Sequence, residues 1–168
     1  MAICKPADLH RLLGPGARLM GLDFGTKTIG IAVSDAALRV ASPVTIIRRR
    51  KFSEDAAEIL ALVGSRNIGG FVVGLPLNMD GTEGPRCQST RDLTAELLLR
   101  HDLPTVFQDE RMSTQAVERA MISEADLTRG QRKKSIDSAA AAWILQAALD
   151  ALPEPEPRST GFAPPTPE

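Results

Sequence analysis

The chain has 168 residues, 20 basic and 21 acidic, 43% of them hydrophobic, which allows one domain with a sizeable core and is too short for two comfortable ones. Near-neutral charge argues against a generic polyanion binder, and the scarcity of aromatic residues, with no tyrosine, against a base-stacking platform. No apolar run is long enough to cross a bilayer, Met1 to Gly16 lacks the apolar centre of a signal peptide, and Cys4 and Cys87 form neither a disulfide framework nor a metal cluster; a cytoplasmic protein is expected.

Residues 1–17 form an N-terminal extension, expected to be peripheral, with a short helix from Ala7 to Leu13 ended by Gly14-Pro-Gly16. Two apolar strands follow within Arg18 to Asp35, joined by a tight Asp-x-Gly-x-Lys corner. Asp23 sits among the apolar residues of the first, where an ionised carboxylate is costly unless it meets water, a cation or donors. Taken alone, the corner also reads as a hairpin whose Asp satisfies turn amides. Val40 to Ile47 gives a third strand, antiparallel to the second, with Pro43 marking an edge or a bulge.

Ser53 is expected to cap a helix with Glu54 and Asp55 in its first turn, ending near Asn67-Ile-Gly-Gly70. The wholly apolar Phe71-Val-Val-Gly-Leu75 reads as an interior parallel strand. A loop rich in glycine and polar side chains, Pro76 to Pro85, leaves its carboxyl end, where open α/β sheets place ligands. A helix from Arg86 to His101 and a strand Thr105-Val-Phe-Gln108 come next, then a helix from Ser113 to Ser123. After the polar and basic residues 124–134, Ser135 is expected to cap a last helix, Ile136 to Leu149. The proline-rich residues 151–168 form a tail too polar to pack. Two basic clusters, Arg48-Arg-Arg-Lys51 and Arg129 with Arg132-Lys133-Lys134, are the local candidates for nucleic-acid contact, although such runs are commonly just solvated.

This order, β-β-β-α-β-α-β-α-α, predicts an α/β domain over residues 18–150: a mixed five-stranded sheet, three antiparallel strands then two parallel, flanked by helices. The Asp23 strand lies in the middle. Glu110, just past the last strand, and Asp137, in the first turn of the last helix, could then converge on Asp23. Three crowded carboxylates repel one another unless divalent cations neutralise them. Mg²⁺ or Mn²⁺ suits such oxygen ligands, and two ions could activate water and stabilise the leaving oxygen in phosphodiester cleavage. Each acid also has a plainer use: Asp137 as a helix N-terminal charge, Glu110 as a partner for Arg111.

Four motifs, Asp23-Phe-Gly-Thr-Lys-Thr-Ile-Gly30, Gly74-Leu-Pro-Leu-Asn-Met-Asp-Gly81, Asp109-Glu-Arg-Met-Ser-Thr114 and Lys134-Ser-Ile-Asp137, resemble in order and spacing those of the YqgF family, also called RuvX. The resemblance spans residues 18–149. It implies an RNase H-like fold and a nuclease that matures the 5′ end of pre-16S ribosomal RNA in ribosome biogenesis, on the RNA itself or the assembling small subunit. By position, Asp23, Glu110 and Asp137 would be the metal-binding catalytic acids. Lys27, Asn78, Arg111, Ser113, Thr114 and Lys134 would serve phosphate contact or site positioning. A monomer or homodimer with no membrane partner is expected. Three other readings compete. Structured DNA is one alternative substrate, as in a Holliday-junction resolvase. A non-catalytic RNA- or ribosome-associated module is another. Actin-like ATPases and sugar kinases share the opening Asp-x-Gly-Thr but need a second lobe, for which this chain has no room.

Overall fold

In the computed structural model, the described residues are 3–110 and 129–153, with side chains described from 139 onward in the second segment. Five strands, β1 (Arg18–Phe24), β2 (Thr28–Ser34), β3 (Ala41–Arg48), β4 (Ile68–Leu75) and β5 (Thr105–Asp109), form one sheet in the order β3-β2-β1-β4-β5. β1, β2 and β3 are antiparallel neighbours, and β4 and β5 run parallel to β1. This is the expected architecture, with β1 at its centre. β3 is an edge strand, and the register shifts where Ala32 meets Pro43, so the proline marks both an edge and an irregularity.

Four helices are described: α1 (Pro6–Leu12), α2 (Phe52–Ser65), α3 (Pro85–Arg100) and α4 (Arg129–Asp150). Strand alternation sorts the core into two layers. Met20, Leu22, Phe24, Phe71 and Val73 pack towards α2 and α3, with Ile59, Val63 and Leu97. Leu19, Val72 and Val106 pack on the opposite face, against Ala141, Ile144 and Leu145 of α4. Asp23 shares the parity of Leu19, so its side chain belongs to the α4 face.

Several boundaries depart from the sequence reading. The N-terminal segment is not peripheral: Leu9 is buried in the α4-side core, and Cys4 N–H donates to the Thr105 carbonyl at 2.9 Å. Ser53 is not a cap. The helix begins one residue earlier, at Phe52, and the buried Asp55 carboxylate accepts from Arg50 N–H at 3.2 Å, securing its start. β4 begins at Ile68, because Asn67 takes a left-handed conformation (φ 53°) and turns the chain at once. Gly69 and Gly70 are therefore strand residues. A Cβ there would lie 2.7 Å from the Ala17 Cβ or 2.9 Å from Leu19 Cδ2, so these glycines serve close packing.

α4 begins at Arg129, placing Ser135 inside a helix and not at its cap. Gln131, Arg132, Lys133 and Lys134 are good helix formers, and a charged run does not by itself end a helix. The expected helix 113–123 and the tail from 154 onward lie outside the described residues.

Candidate functional site

The carboxyl ends of β1, β4 and β5 form one edge of the sheet, and the candidate acids are gathered from there. Asp23 is the penultimate residue of β1, paired with Gly30 of β2 and half-buried. Next to it the chain turns tightly: Gly25 N–H donates to the Thr28 carbonyl at 2.8 Å. A Cβ on Gly25 would sit 2.9 Å from that carbonyl oxygen, so the close approach excludes a larger residue without a shift.

Glu110 follows β5 immediately, and its N–H donates to the Leu75 carbonyl of β4 at 3.2 Å. Its side chain folds over Gly74. A Cβ on Gly74 would lie 2.5 Å from Glu110 Oε2 and 2.6 Å from Ile144 Cδ1. The missing side chain of β4 is thus the space in which the Glu110 carboxyl sits.

The two carboxyls are hydrogen-bonded to each other. Burial, then the charge of Asp23, then that hydrogen bond push the Glu110 carboxyl from its ordinary 4.5 up to about 8. Arg86, in the first turn of α3, works against this and favours the ionised form. Neighbouring acids pushed this way share a proton near neutrality. Among the described residues, no group of three or more His, Cys, Asp or Glu side chains is arranged to hold a metal ion; the acids brought together are Asp23 and Glu110.

The other expected residues are placed unevenly. Lys27 is exposed in the β1–β2 turn, where its carbonyl accepts from Arg49 N–H at 2.9 Å. Asn78 is exposed and occupied within its own loop. Its Nδ2 donates to Thr82 Oγ1 at 3.0 Å, and its N–H donates to the Thr82 carbonyl at 2.9 Å. Arg111, Ser113 and Thr114 lie outside the described residues, as do the side chains of Lys134 and Asp137, whose backbones belong to α4.

Sequence reasoning missed Arg86, which carries no motif of its own and reaches Glu110 only through the fold. It also grouped Arg48 to Lys51 as one patch, which the structure divides. Arg50 forms ion pairs with Glu58 at 3.2 Å and Glu54 at 4.0 Å, while Arg49 Nη1 donates to the Gly25 carbonyl at 2.9 Å, beside the Asp23 turn.

The family profile described as "RuvX: Holliday junction resolvase" matches residues 17–151. The chain belongs to the RuvX family. Among its RuvX relatives, a protein of Phenylobacterium zucineum is 55% identical over 153 residues, covering 90% of this chain and 98% of its own. A second, from Rhodospirillum rubrum, is 50% identical over 157 residues, covering 94% and 98%. Both bear the name "Putative pre-16S rRNA nuclease". Among solved structures, T. thermophilus RuvC in complex with Holliday junction substrate superposes with a TM-score of 0.50 at 12% identity, covering 80% of this chain and 94% of that one. That likeness is one of fold: this RuvX chain has the RNase H-like architecture. Among the described residues, no helix is long and apolar enough to cross a membrane.

Proposed function

We propose that the protein is a metal-dependent endonuclease that hydrolyses phosphodiester bonds of pre-16S ribosomal RNA near its 5′ end. The observation that carries this reading is the hydrogen-bonded carboxyl pair Asp23–Glu110 at the carboxyl edge of β1, β4 and β5, in a chain whose relatives bear a nuclease name. Two acids forced to share a proton make a poor structural contact and a good hard-oxygen site for Mg²⁺ or Mn²⁺. Bound there, one or two such ions would neutralise the acids, activate the attacking water and stabilise the leaving oxygen.

The chain's own residues supply the rest. Asp23 is held in direction by the central strand, and Glu110 by its backbone bond to β4 and the space over Gly74. Lys27, exposed one turn away, neutralises a substrate phosphate.

Support for Asp137 as a third acid comes from backbone register. Gln146 of α4 accepts from Ala41 N–H at 2.9 Å and donates to the Arg39 carbonyl at 2.9 Å, at the end of the sheet where β1 begins. Five residues earlier, the Ala141 carbonyl faces Gly21, so α4 runs antiparallel to β1. One more turn back, about 6 Å along the helix, reaches position 137. Two residues further along β1, also about 6–7 Å, reach Asp23. That register supports the reading in which Asp137 acts at the level of Asp23.

The test is incubation of purified protein with pre-16S RNA carrying its 5′ leader, with Mn²⁺ or Mg²⁺, beside a four-way DNA junction at matched salt. Cleavage of the RNA that disappears in Asp23→Asn with Asp137→Asn is expected. Cleavage surviving that double substitution removes the catalytic assignment, and preferential cutting of the junction replaces the substrate.

A further inference from the structure

A small cleft of about 60 Å³ opens at the same sheet edge, on the α3 side, around the corner from the carboxyls. Phe24 and Gly25 form its floor, Arg49 one wall, and Arg86, Ser89 and Thr90 of the first turns of α3 the other. Among the described residues, two guanidinium groups and three hydroxyl-bearing residues, Thr26, Ser89 and Thr90, border it, and no acidic residue does. Among the described residues, neither Arg49 nor Arg86 forms an ion pair, in contrast to Arg11, Arg50 and Arg91, which do. Arg49 is half-buried and fixed by its bond to the Gly25 carbonyl and by its own N–H on the Lys27 carbonyl. That contact uses one of the five guanidinium donors.

A half-buried guanidinium held in place with no counter-ion among the described residues suits an anion that arrives from outside. Its cationic and hydroxyl lining suits a phosphate group. Phe24 is buried and offers no stacking face.

We infer that the Arg49–Arg86 cleft seats a backbone phosphate of the nucleic-acid strand, next along from the phosphate presented to Asp23 and Glu110. A strand crossing the sheet edge would be gripped on the α3 side and cut on the α4 side. The cleft thus sets which bond lies over the carboxyls without reading sequence. This inference rests on the nuclease reading above, and its test is a binding measurement that needs neither metal nor cleavage.

The probe is a fluorescein-labelled single-stranded RNA of about a dozen nucleotides, titrated with full-length protein in EDTA over a range of salt. Arg49→Gln with Arg86→Gln is compared with the charge-matched Arg66→Gln with Arg100→Gln, whose residues lie elsewhere. The cleft variant is expected to bind about tenfold more weakly and to lose about 0.7 from the log–log salt slope, the value for one single-strand phosphate contact. Arg49→Lys, which keeps the charge, is expected to keep the slope, with folding of each variant checked by circular dichroism. Cleft and control variants that bind alike overturn the inference and leave the nuclease reading standing. Wild-type protein that binds no RNA overturns the inference, while the nuclease reading is decided by the cleavage assay with Mn²⁺ or Mg²⁺.

Discussion

Replacing Glu110 by Gln is the sharpest probe of the carboxyl pair, because it keeps the shape and a hydrogen bond to Asp23 while removing one titrating group. In the metal-free protein the Glu110 carboxyl is pushed up to about 8, against an ordinary value of 4.5, by burial first and by Asp23 second. Between these two values the folded state therefore holds a proton that the unfolded state has released. Stability falls as pH rises through that window, by up to about 1.4 kcal/mol per pH unit, on the order of 5 kcal/mol across the whole of it as an upper bound. The contribution is full below the unfolded value and gone above the folded one.

Urea denaturation followed by the fluorescence of Trp143, the one tryptophan, measures this directly. In EDTA, wild-type protein should lose several kcal/mol between about pH 5 and about pH 8, and Glu110→Gln should lose markedly less, being the more stable of the two at the upper end. Millimolar Mn²⁺ should reverse the order at about pH 8: a site filled to a hundred times its Kd adds about 2.7 kcal/mol to wild type and much less to the variant. Equal pH slopes for the two proteins in EDTA, or equal stabilisation of both by Mn²⁺, would refute the shared-proton account of this pair.

Three further substitutions test the scaffold around it. Gly74→Ala places a methyl group 2.5 Å from Glu110 Oε2 and 2.6 Å from Ile144 Cδ1; it should cost about 1–3 kcal/mol in urea melts and lower RNA cleavage by up to about a hundredfold through displacement of the carboxyl. Ser34→Ala removes the buried hydroxyl that accepts from Leu19 N–H at 2.9 Å, where the β1–β4 register shifts; leaving that amide unpaired should cost about 1–3 kcal/mol, read as a lower urea midpoint. Gln146→Ala frees both backbone groups that its side chain ties at the β2–β3 turn and should cost about 1–2 kcal/mol, with amide exchange accelerating at Ala41.

What the sequence disclosed follows the reach of its signals. Apolar runs located the described strands, bounded by glycine for β1 and β2, and Pro43 announced the edge, because these are local consequences of burial and of a missing N–H. Helix starts were less legible. Phe52 begins α2 because Asp55, three residues on, folds its carboxylate back onto Arg50 N–H, a contact that residue type alone does not announce. The run Arg129 to Lys134 resembles a solvated loop as much as a helix, and only continuity with the packed face at Ala141 and Leu145 decides it. The pairing of Asp23 with Glu110 was accessible because both stand at strand ends. Arg86 was not, since its influence on Glu110 depends on how α3 docks beside β4.

The two glycines under α4 explain why the acids can meet at all. Gly21 lets the Ala141 carbonyl and Leu145 come down on β1, where a Cβ would sit 2.9 Å and 2.8 Å from them. Gly74 leaves the neighbouring strand bare for Ile144 and for the Glu110 carboxyl. The helix therefore lies close on the sheet along Ala141, Ile144 and Leu145, and that closeness fixes its register against β1. A larger residue at either glycine would lift α4 away from the sheet, and with it the packing of Ile144 beside the Glu110 carboxyl. The two glycines with Ala141, Ile144 and Leu145 are thus one device, a tight helix–sheet seam that lies beside the Asp23–Glu110 pair.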